Sequence, residues 1–331
     1  MTKSQIHKIG VLTSGGDSPG MNAAIRAVVR TALQHNLEVS GIYNGYEGMM
    51  NDQFVKMDTH SVSGIISRGG TILKTARSKR FRTDEGLKTG YENLMREGIE
   101  GLVVIGGDGT FRGALEFGKK YDIPIMGLPG TIDNDLTGTD LTIGFDTALN
   151  TVIEAVDKIR DTAASHNRIF FIEVMGRDAG YIALHSGIAT GAEGILIPET
   201  KTTVEEVIDG LADGLKKRNS RSAIVIVSEG DEAGGALEIA NRVKQKYEYF
   251  DTRVTILGHI QRGGSPSCRD RVLATELGFD AVKALLNGRR GEMVGIINNK
   301  IAYTPFEKAT KQEQAIDQNM LDLAKTLSML F

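Results

Sequence analysis

The chain of 331 residues holds one cysteine, Cys268, so no disulfide can close within it and no four-cysteine zinc site can form. That usage suits a reducing compartment, and a cytoplasmic protein is expected. Proline is scarce, with 6 residues, and the 40 glycines follow no period, which excludes collagen-like and low-complexity chains. No apolar run approaches the roughly 20 residues of a membrane span. Residues 1–8 are polar and lack the apolar core of a secretory signal. A formal net charge of −3 with no long basic run argues against a nucleic-acid or anionic-membrane partner. Hydrophobic residues make up 40%, enough to bury a sizeable core. Glycine stands well above its average share of about 7%.

Short, uniformly apolar runs predict strands at 9–12, 102–105, 123–128, 169–174, 195–197 and 224–227. Runs of this kind suit strands covered on both faces, as in parallel sheets. Helical periodicity predicts helices at 21–33, 90–96, 148–160, 204–217, 236–245, 272–286 and 317–327. Ser18 is the expected N-cap of the first helix, with Pro19 at its first position. The alternation implies an α/β fold with helices on both sheet faces. There is no repeat and no linker-like stretch. Length favours two lobes, and a cleft between them is the expected site.

Three strand ends carry candidate chemistry. Ile9-Gly10-Val11-Leu12-Thr13-Ser14-Gly15-Gly16-Asp17-Ser18-Pro19-Gly20 reads as strand, glycine turn and helix start, a geometry that offers backbone N–H groups to a phosphate. It lacks the GxGxxG spacing of dinucleotide sites, and it could equally be a bare βα turn. Leu102-Val103-Val104-Ile105-Gly106-Gly107-Asp108-Gly109-Thr110 ends a buried strand with a carboxylate among glycines. Asp108 there suits a phosphate-borne Mg²⁺, the alternative being a helix N-cap that would not need three flanking glycines. Gly127-Leu128-Pro129-Gly130-Thr131-Ile132-Asp133-Asn134-Asp135 places two carboxylates one residue apart. In an extended segment both would face one side, to share a metal or to supply a base, and an Asx-rich turn is the other possibility. The run from Gly113 to Lys119 approaches a Walker A pattern, but Lys120 replaces the required hydroxyl and the run falls in a predicted helix.

The second half places Arg at loop-like positions: Arg168, Arg177, Arg253 and Arg262, the last within Gly258-His259-Ile260-Gln261-Arg262-Gly263-Gly264-Ser265-Pro266. The planar guanidinium suits phosphate recognition, although a single exposed Arg is usually only solvated. Glu229 is a further carboxylate at a strand end.

In order and spacing, the segments 12–26, 105–110, 128–135, 173–177 and 257–266 resemble the signatures of bacterial phosphofructokinases, and the resemblance runs from residue 9 to about residue 286. The resemblance implies two similar three-layer αβα lobes with mostly parallel sheets and the active site in the cleft between them. Residues 1–143 with 257–308 would bind ATP; residues 144–256 with 309–331 would bind fructose 6-phosphate. The implied reaction moves the γ-phosphate of ATP to the sugar 1-hydroxyl, with Mg²⁺ as cofactor. Asp133 would be the base, aided by Thr131 and Asp135. Gly16, Tyr46, Arg77, Ser78, Gly107, Asp108, Gly109 and Thr110 would hold ATP, with Asp108 on the metal. Thr131, Asp133, Met175, Gly176, Arg177, Glu229, His259 and Arg262 would bind the sugar phosphate. Arg168 and Arg253 would reach in from a neighbouring subunit of a homotetramer. An effector site for ADP or phosphoenolpyruvate would use Arg26, Arg30, Arg160, Gly191, Glu193, Arg218 and Arg221. Thr59, Gly64 and Ser222 depart from the family pattern there, which implies an attenuated effector response.

Pyrophosphate-dependent members carry Asp at the position of Gly109 and Lys at that of Gly130, so the two glycines imply ATP. Other rivals are weaker. NAD and lipid kinases share Gly-Gly-Asp-Gly-Thr but lack the Gly-Thr-Ile-Asp-Asn-Asp and His-Ile-Gln-Arg-Gly-Gly segments. A non-catalytic nucleotide sensor would be expected to lose Asp108 or Asp133.

Overall fold

The computed structural model describes residues 6–200, 203–218, 222–231, 234–310 and 316–327. The chain divides into two compact units, Met1–Thr147 with Arg262–Gln312, and Ala148–Gln261 with Glu313–Phe331. The division falls inside a long helix, Phe145–His166, rather than just before it.

The first unit is built on β1 (Lys8–Thr13), β2 (Glu38–Ile42), β3 (Phe54–Met57), β4 (Gly101–Gly106), β5 (Ile125–Pro129), β10 (Glu292–Ile297) and β11 (Lys300–Pro305). They form one sheet in the order β11-β10-β5-β4-β1-β2-β3. The five inner strands run parallel, and β3 and β11 pair antiparallel at the edges. β4 and β5 are buried along their whole length, as continuous apolar runs require when helices cover both faces. On one face α1 (Met21–Gln34) and α9 (Cys268–Leu286) pack together over Val11, Val103 and Leu128. On the other, α2 (Gly45–Met50), α3 (Asp84–Arg96), α4 (Asp108–Lys120) and α10 (Phe306–Ala309) close a core around Leu12, Val104, Phe111 and Phe117. α3 and α9 begin as their sequences direct, with the hydroxyls of Thr83 and Ser267 accepting from Gly86 and Asp270 N–H.

The start of α1 differs from expectation. Gly20, at φ 105°, intervenes between Pro19 and the helix, so Ser18 and Pro19 lie outside it. Ser18 serves through its backbone, its carbonyl accepting from Met21 N–H at 3.3 Å.

The second unit holds β6 (Ile169–Val174), β7 (Gly194–Leu196), β8 (Ala223–Ser228) and β9 (Thr252–Ile256) in an all-parallel sheet ordered β7-β8-β6-β9. α7 (Val204–Arg218) and α8 (Ala236–Lys246) cover one core around Phe171 and Val225. α6 (Tyr181–Thr190) packs on β7 and β8 and carries α11 (Gln318–Thr326). α5 (Phe145–His166) completes the set. Its start is fixed by Asp270 of α9, whose carboxylate accepts from Gly144 N–H at 2.9 Å and Thr147 N–H at 2.8 Å. The two units share a layered α/β plan, and their sheets differ in size, seven strands against four.

Candidate active site

β1, β4 and β5 are neighbours and end level, Thr13 beside Ile105 and Ile105 beside Leu128. The three motif turns therefore leave the sheet side by side at its carboxyl edge, where open α/β sheets bind ligands. Ser14 N–H donates to Ile105 carbonyl at 2.9 Å and Gly130 N–H to Gly106 carbonyl at 3.0 Å, tying the turns together. Thr110 donates its hydroxyl to Ser14 carbonyl at 3.0 Å. Gly106 has no room for a side chain: a Cβ would lie 2.3 Å from the Thr110 hydroxyl and 2.4 Å from Ser14 carbonyl.

Asp108 opens α4, with Gly107 as the N-cap, so the carboxylate sits in the first turn rather than capping it. Arg112, one turn on, approaches it with Nε at 3.0 Å. Beside it Gly109 faces open space, with nothing within 4 Å of an added Cβ. The loop after β5 reaches the same place, since a Cβ on Gly107 would lie 3.6 Å from Thr131 Cβ.

That loop is a turn and not an extended segment. Asn134 takes φ 52°, its Oδ1 accepting from Thr142 N–H at 2.8 Å and its Nδ2 donating to Asp140 carbonyl at 3.2 Å. The strand-like alternation expected for Asp133 and Asp135 does not apply; the Asx geometry wins because Asn tolerates the left-handed region. Thr131 Oγ1 accepts from Asp133 N–H at 3.2 Å, and Thr131, Asp133 and Asp135 are all buried.

Tyr46 is a core residue. Its ring stacks on Phe81 at 4.1 Å, its hydroxyl donates to Thr110 carbonyl at 2.7 Å, and burial pushes the phenol far up. It supports the first turn of α4 from beneath rather than lying open beside a nucleotide. Arg77 is exposed. The Ser78 hydroxyl is engaged by Glu47, to which it donates at 2.6 Å.

In the second unit β6 and β8 end level, Val174 beside Ser228. Met175 N–H donates to Gln261 Oε1 at 3.2 Å, and Arg177 N–H donates to Glu229 Oε1 at 2.9 Å. Gly176 turns at φ 145°, where a Cβ would lie 2.3 Å from Ala179 carbonyl. His259 is exposed on a 3-10 turn. Arg262 belongs to the first unit, where Nη1 donates to Asp17 carbonyl at 3.1 Å. Arg168 and Arg253 share one partner that sequence reading gave no role, Asp251. Arg168 Nε lies 2.7 Å from it, Arg253 pairs with its other oxygen, and these bonds, the one from Arg168 foremost, hold the carboxyl below the usual range.

Among the described residues no group of three His, Cys, Asp or Glu could cage a metal. Mg²⁺ carried by nucleotide phosphates needs only one or two protein carboxylates, and Asp108 at a glycine-lined strand end fits that demand.

Residues 8–285 match the model of the family described as phosphofructokinase. The chain belongs to that family. It is 53% identical over 321 residues to ATP-dependent 6-phosphofructokinase 2 of Bacteroides thetaiotaomicron, covering 97% of this chain and 98% of that one. It is 54% identical to the ATP-dependent 6-phosphofructokinase of Bacillus subtilis, covering 97% and 99%. Among solved structures, phosphofructokinase from Saccharomyces cerevisiae matches at TM-score 0.87 and 40% identity, over 97% of this chain and 46% of that longer one. The pyrophosphate-dependent phosphofructokinase from Marinobacter aquaeolei matches at TM-score 0.83 and 23% identity, over 98% and 92%, a likeness of fold alone.

The residues expected at an effector site fall in both units. Arg26 and Arg30 stand one turn apart on α1; burial first, and then Arg30, lowers the pKa of Arg26. Arg160 donates to Thr190 and Gly191 carbonyls at 2.8 and 3.1 Å and meets Glu193 at 3.4 Å, so it caps the end of α6. Arg221 and the side chain of Arg218 fall outside the described residues.

Proposed function

We propose that this phosphofructokinase transfers the γ-phosphate of ATP to the 1-hydroxyl of D-fructose 6-phosphate, giving fructose 1,6-bisphosphate and ADP. The observation that carries the choice of donor is Gly109. Nothing in the protein requires glycine there, and its φ is not left-handed, so the empty volume is left for the nucleotide. The close ATP-dependent relatives support the same choice.

Asp133 acts as the base, accepting the proton of the attacking hydroxyl; such removal contributes about 10²–10⁴ in rate. Thr131 and Asp135 hold the sugar beside it. Gly15, Gly16 and the N-terminus of α4 present N–H groups and a favourable dipole to the polyphosphate, and Arg77 adds charge. Asp108 would hold Mg²⁺, which when bound neutralises charge on the transferred phosphoryl group. Met175, Gly176, Arg177, Glu229, His259 and Arg262 bind the sugar phosphate. Arg168 and Arg253, aligned by Asp251, serve the sugar phosphate of a neighbouring subunit in a homotetramer. Arg26 and Arg30 form the cationic, anion-binding end of an effector site whose response is attenuated, because Thr59, Gly64 and Ser222 stand where the family pattern has other residues. Velocity against fructose 6-phosphate with and without ADP tests that regulation.

The activity itself is tested by coupled detection of ADP with fructose 6-phosphate as sole acceptor. Turnover that needs both substrates and Mg²⁺ is expected. Comparable turnover with pyrophosphate in place of ATP overturns the reading.

A further inference from the structure

Asn22 sits in the second position of α1, outside every turn that carries chemistry, and is 1% exposed. A buried amide inside a helix must find partners, and this one finds all of them in one remote segment. Its Nδ2 donates to Arg68 carbonyl at 3.0 Å and Gly69 carbonyl at 3.2 Å, and its Oδ1 accepts from Ile72 N–H at 2.7 Å.

The same segment is tied at its far end to the first glycine turn. Thr13, fully buried at the end of β1, donates its hydroxyl to Lys74 carbonyl at 2.8 Å and meets the Thr71 hydroxyl at 2.9 Å. Thr75 donates to Gly15 carbonyl at 2.8 Å. Between these anchors Lys74 is held at φ 56°, a left-handed conformation that is strained for a non-glycine residue and persists only when its surroundings fix it. Arg77 lies two residues beyond the last anchor.

We infer that Asn22 is a positioning residue for the nucleotide: through 68–75 it fixes where Arg77 stands relative to the Gly15-Gly16 turn. The inference rests on the proposed ATP site and deepens it. Asn22 touches neither phosphate nor sugar. Its action falls chiefly on the nucleotide, because its three bonds all end on the segment that leads to Arg77; the same segment also meets Ser265, whose hydroxyl donates to Ser67 carbonyl at 2.8 Å.

Asn22→Asp keeps the volume and the acceptor for Ile72 N–H, removes both donors and sets a carboxylate against two carbonyls. Thr13→Val cuts the other anchor without changing shape, and Thr13→Ser restores the hydroxyl. Equilibrium binding of a non-hydrolysable ATP analogue without sugar is measured alongside steady-state kinetics. Asn22→Asp and Thr13→Val are each expected to weaken analogue binding and raise the ATP KM about tenfold, from one or two lost hydrogen bonds. The fructose 6-phosphate KM stays within about twofold and Thr13→Ser recovers affinity. The double variant is less than the product of the singles, since both act on one segment. Variants that lose melting temperature while both KM values and analogue affinity stay unchanged overturn the inference, for Asn22 is then structural only. Should Asn22→Asp not fold, the Thr13 pair decides alone: unchanged analogue affinity in Thr13→Val overturns it. Wild-type protein that binds no analogue overturns the nucleotide reading and this inference with it.

Discussion

The guanidinium of Arg262 fills the space that a side chain on Gly16 would need: a Cβ there would lie 2.4 Å from Nη1. Arg262 is buried and bonded to Asp17 carbonyl, so it cannot swing away without losing that bond. Room for Arg262 is thus one reason for glycine at 16, beside the backbone approach to phosphate proposed for that turn. Gly16→Ala is expected to raise the KM of both substrates. In an Arg262→Ala background the same change should cost much less, because the clash is gone. Steady-state KM values for the four proteins check this, and strictly additive effects would refute it.

The two glycines that imply ATP differ physically. Gly109 faces open space at the start of α4, where an acidic residue favours the helix dipole. Gly109→Asp should leave melting temperature unchanged while raising the ATP KM at least about tenfold, a loss of ~1.4 kcal/mol. Gly130 is packed, a Cβ there lying 3.0 Å from Ile105 Cγ2 and 3.0 Å from Met21 Cε. Gly130→Lys should destabilise by about 1–3 kcal/mol from overpacking. Thermal unfolding of both variants separates the donor effect from the packing effect.

Ser18 is fully buried and its hydroxyl has no hydrogen-bond partner among the described residues. An unmade hydrogen bond costs more than an absent hydroxyl. Ser18→Ala is therefore expected to be neutral or to stabilise by up to about 1 kcal/mol, read from urea unfolding.

Burial lowers the pKa of His185 on α6, and Asp317 opposes that only in part. The unfolded imidazole titrates near 6.5 while the folded one stays neutral to lower pH. Its contribution is complete above that value and is lost as pH falls toward the folded pKa. Melting temperature should fall between about pH 7.5 and pH 5.5, and His185→Gln should flatten that slope. An unchanged slope in the variant would assign the effect elsewhere.

The architecture was legible where residues were uniformly apolar. β4, β6 and β8 follow directly from runs such as Ile169 to Val174, and five long helices follow from their periodicity. β2 escaped because Ser40 and Gly41 interrupt it, although both are buried, Gly41 under Met57 and Leu73. α2 holds two glycines in six residues, and α6 is apolar on most sides, so neither shows a helical stripe. The three chemical turns were readable as motifs, but their internal geometry was not: the left-handed Asn134 depends on partners at 140 and 142. Asn22, Thr13 and Asp251 act through residues tens of positions away, and no local pattern announces them. The one hint was a polar Asn22 on an otherwise apolar helix face.

The most direct test of the account is the turnover of Asp133→Ser against wild type, with ADP release coupled to fructose 6-phosphate phosphorylation. If Asp133 takes the hydroxyl proton, kcat should fall by about 10²–10⁴ while both KM values change little. A variant that keeps near-normal kcat would remove Asp133 from the chemistry and contradict the account.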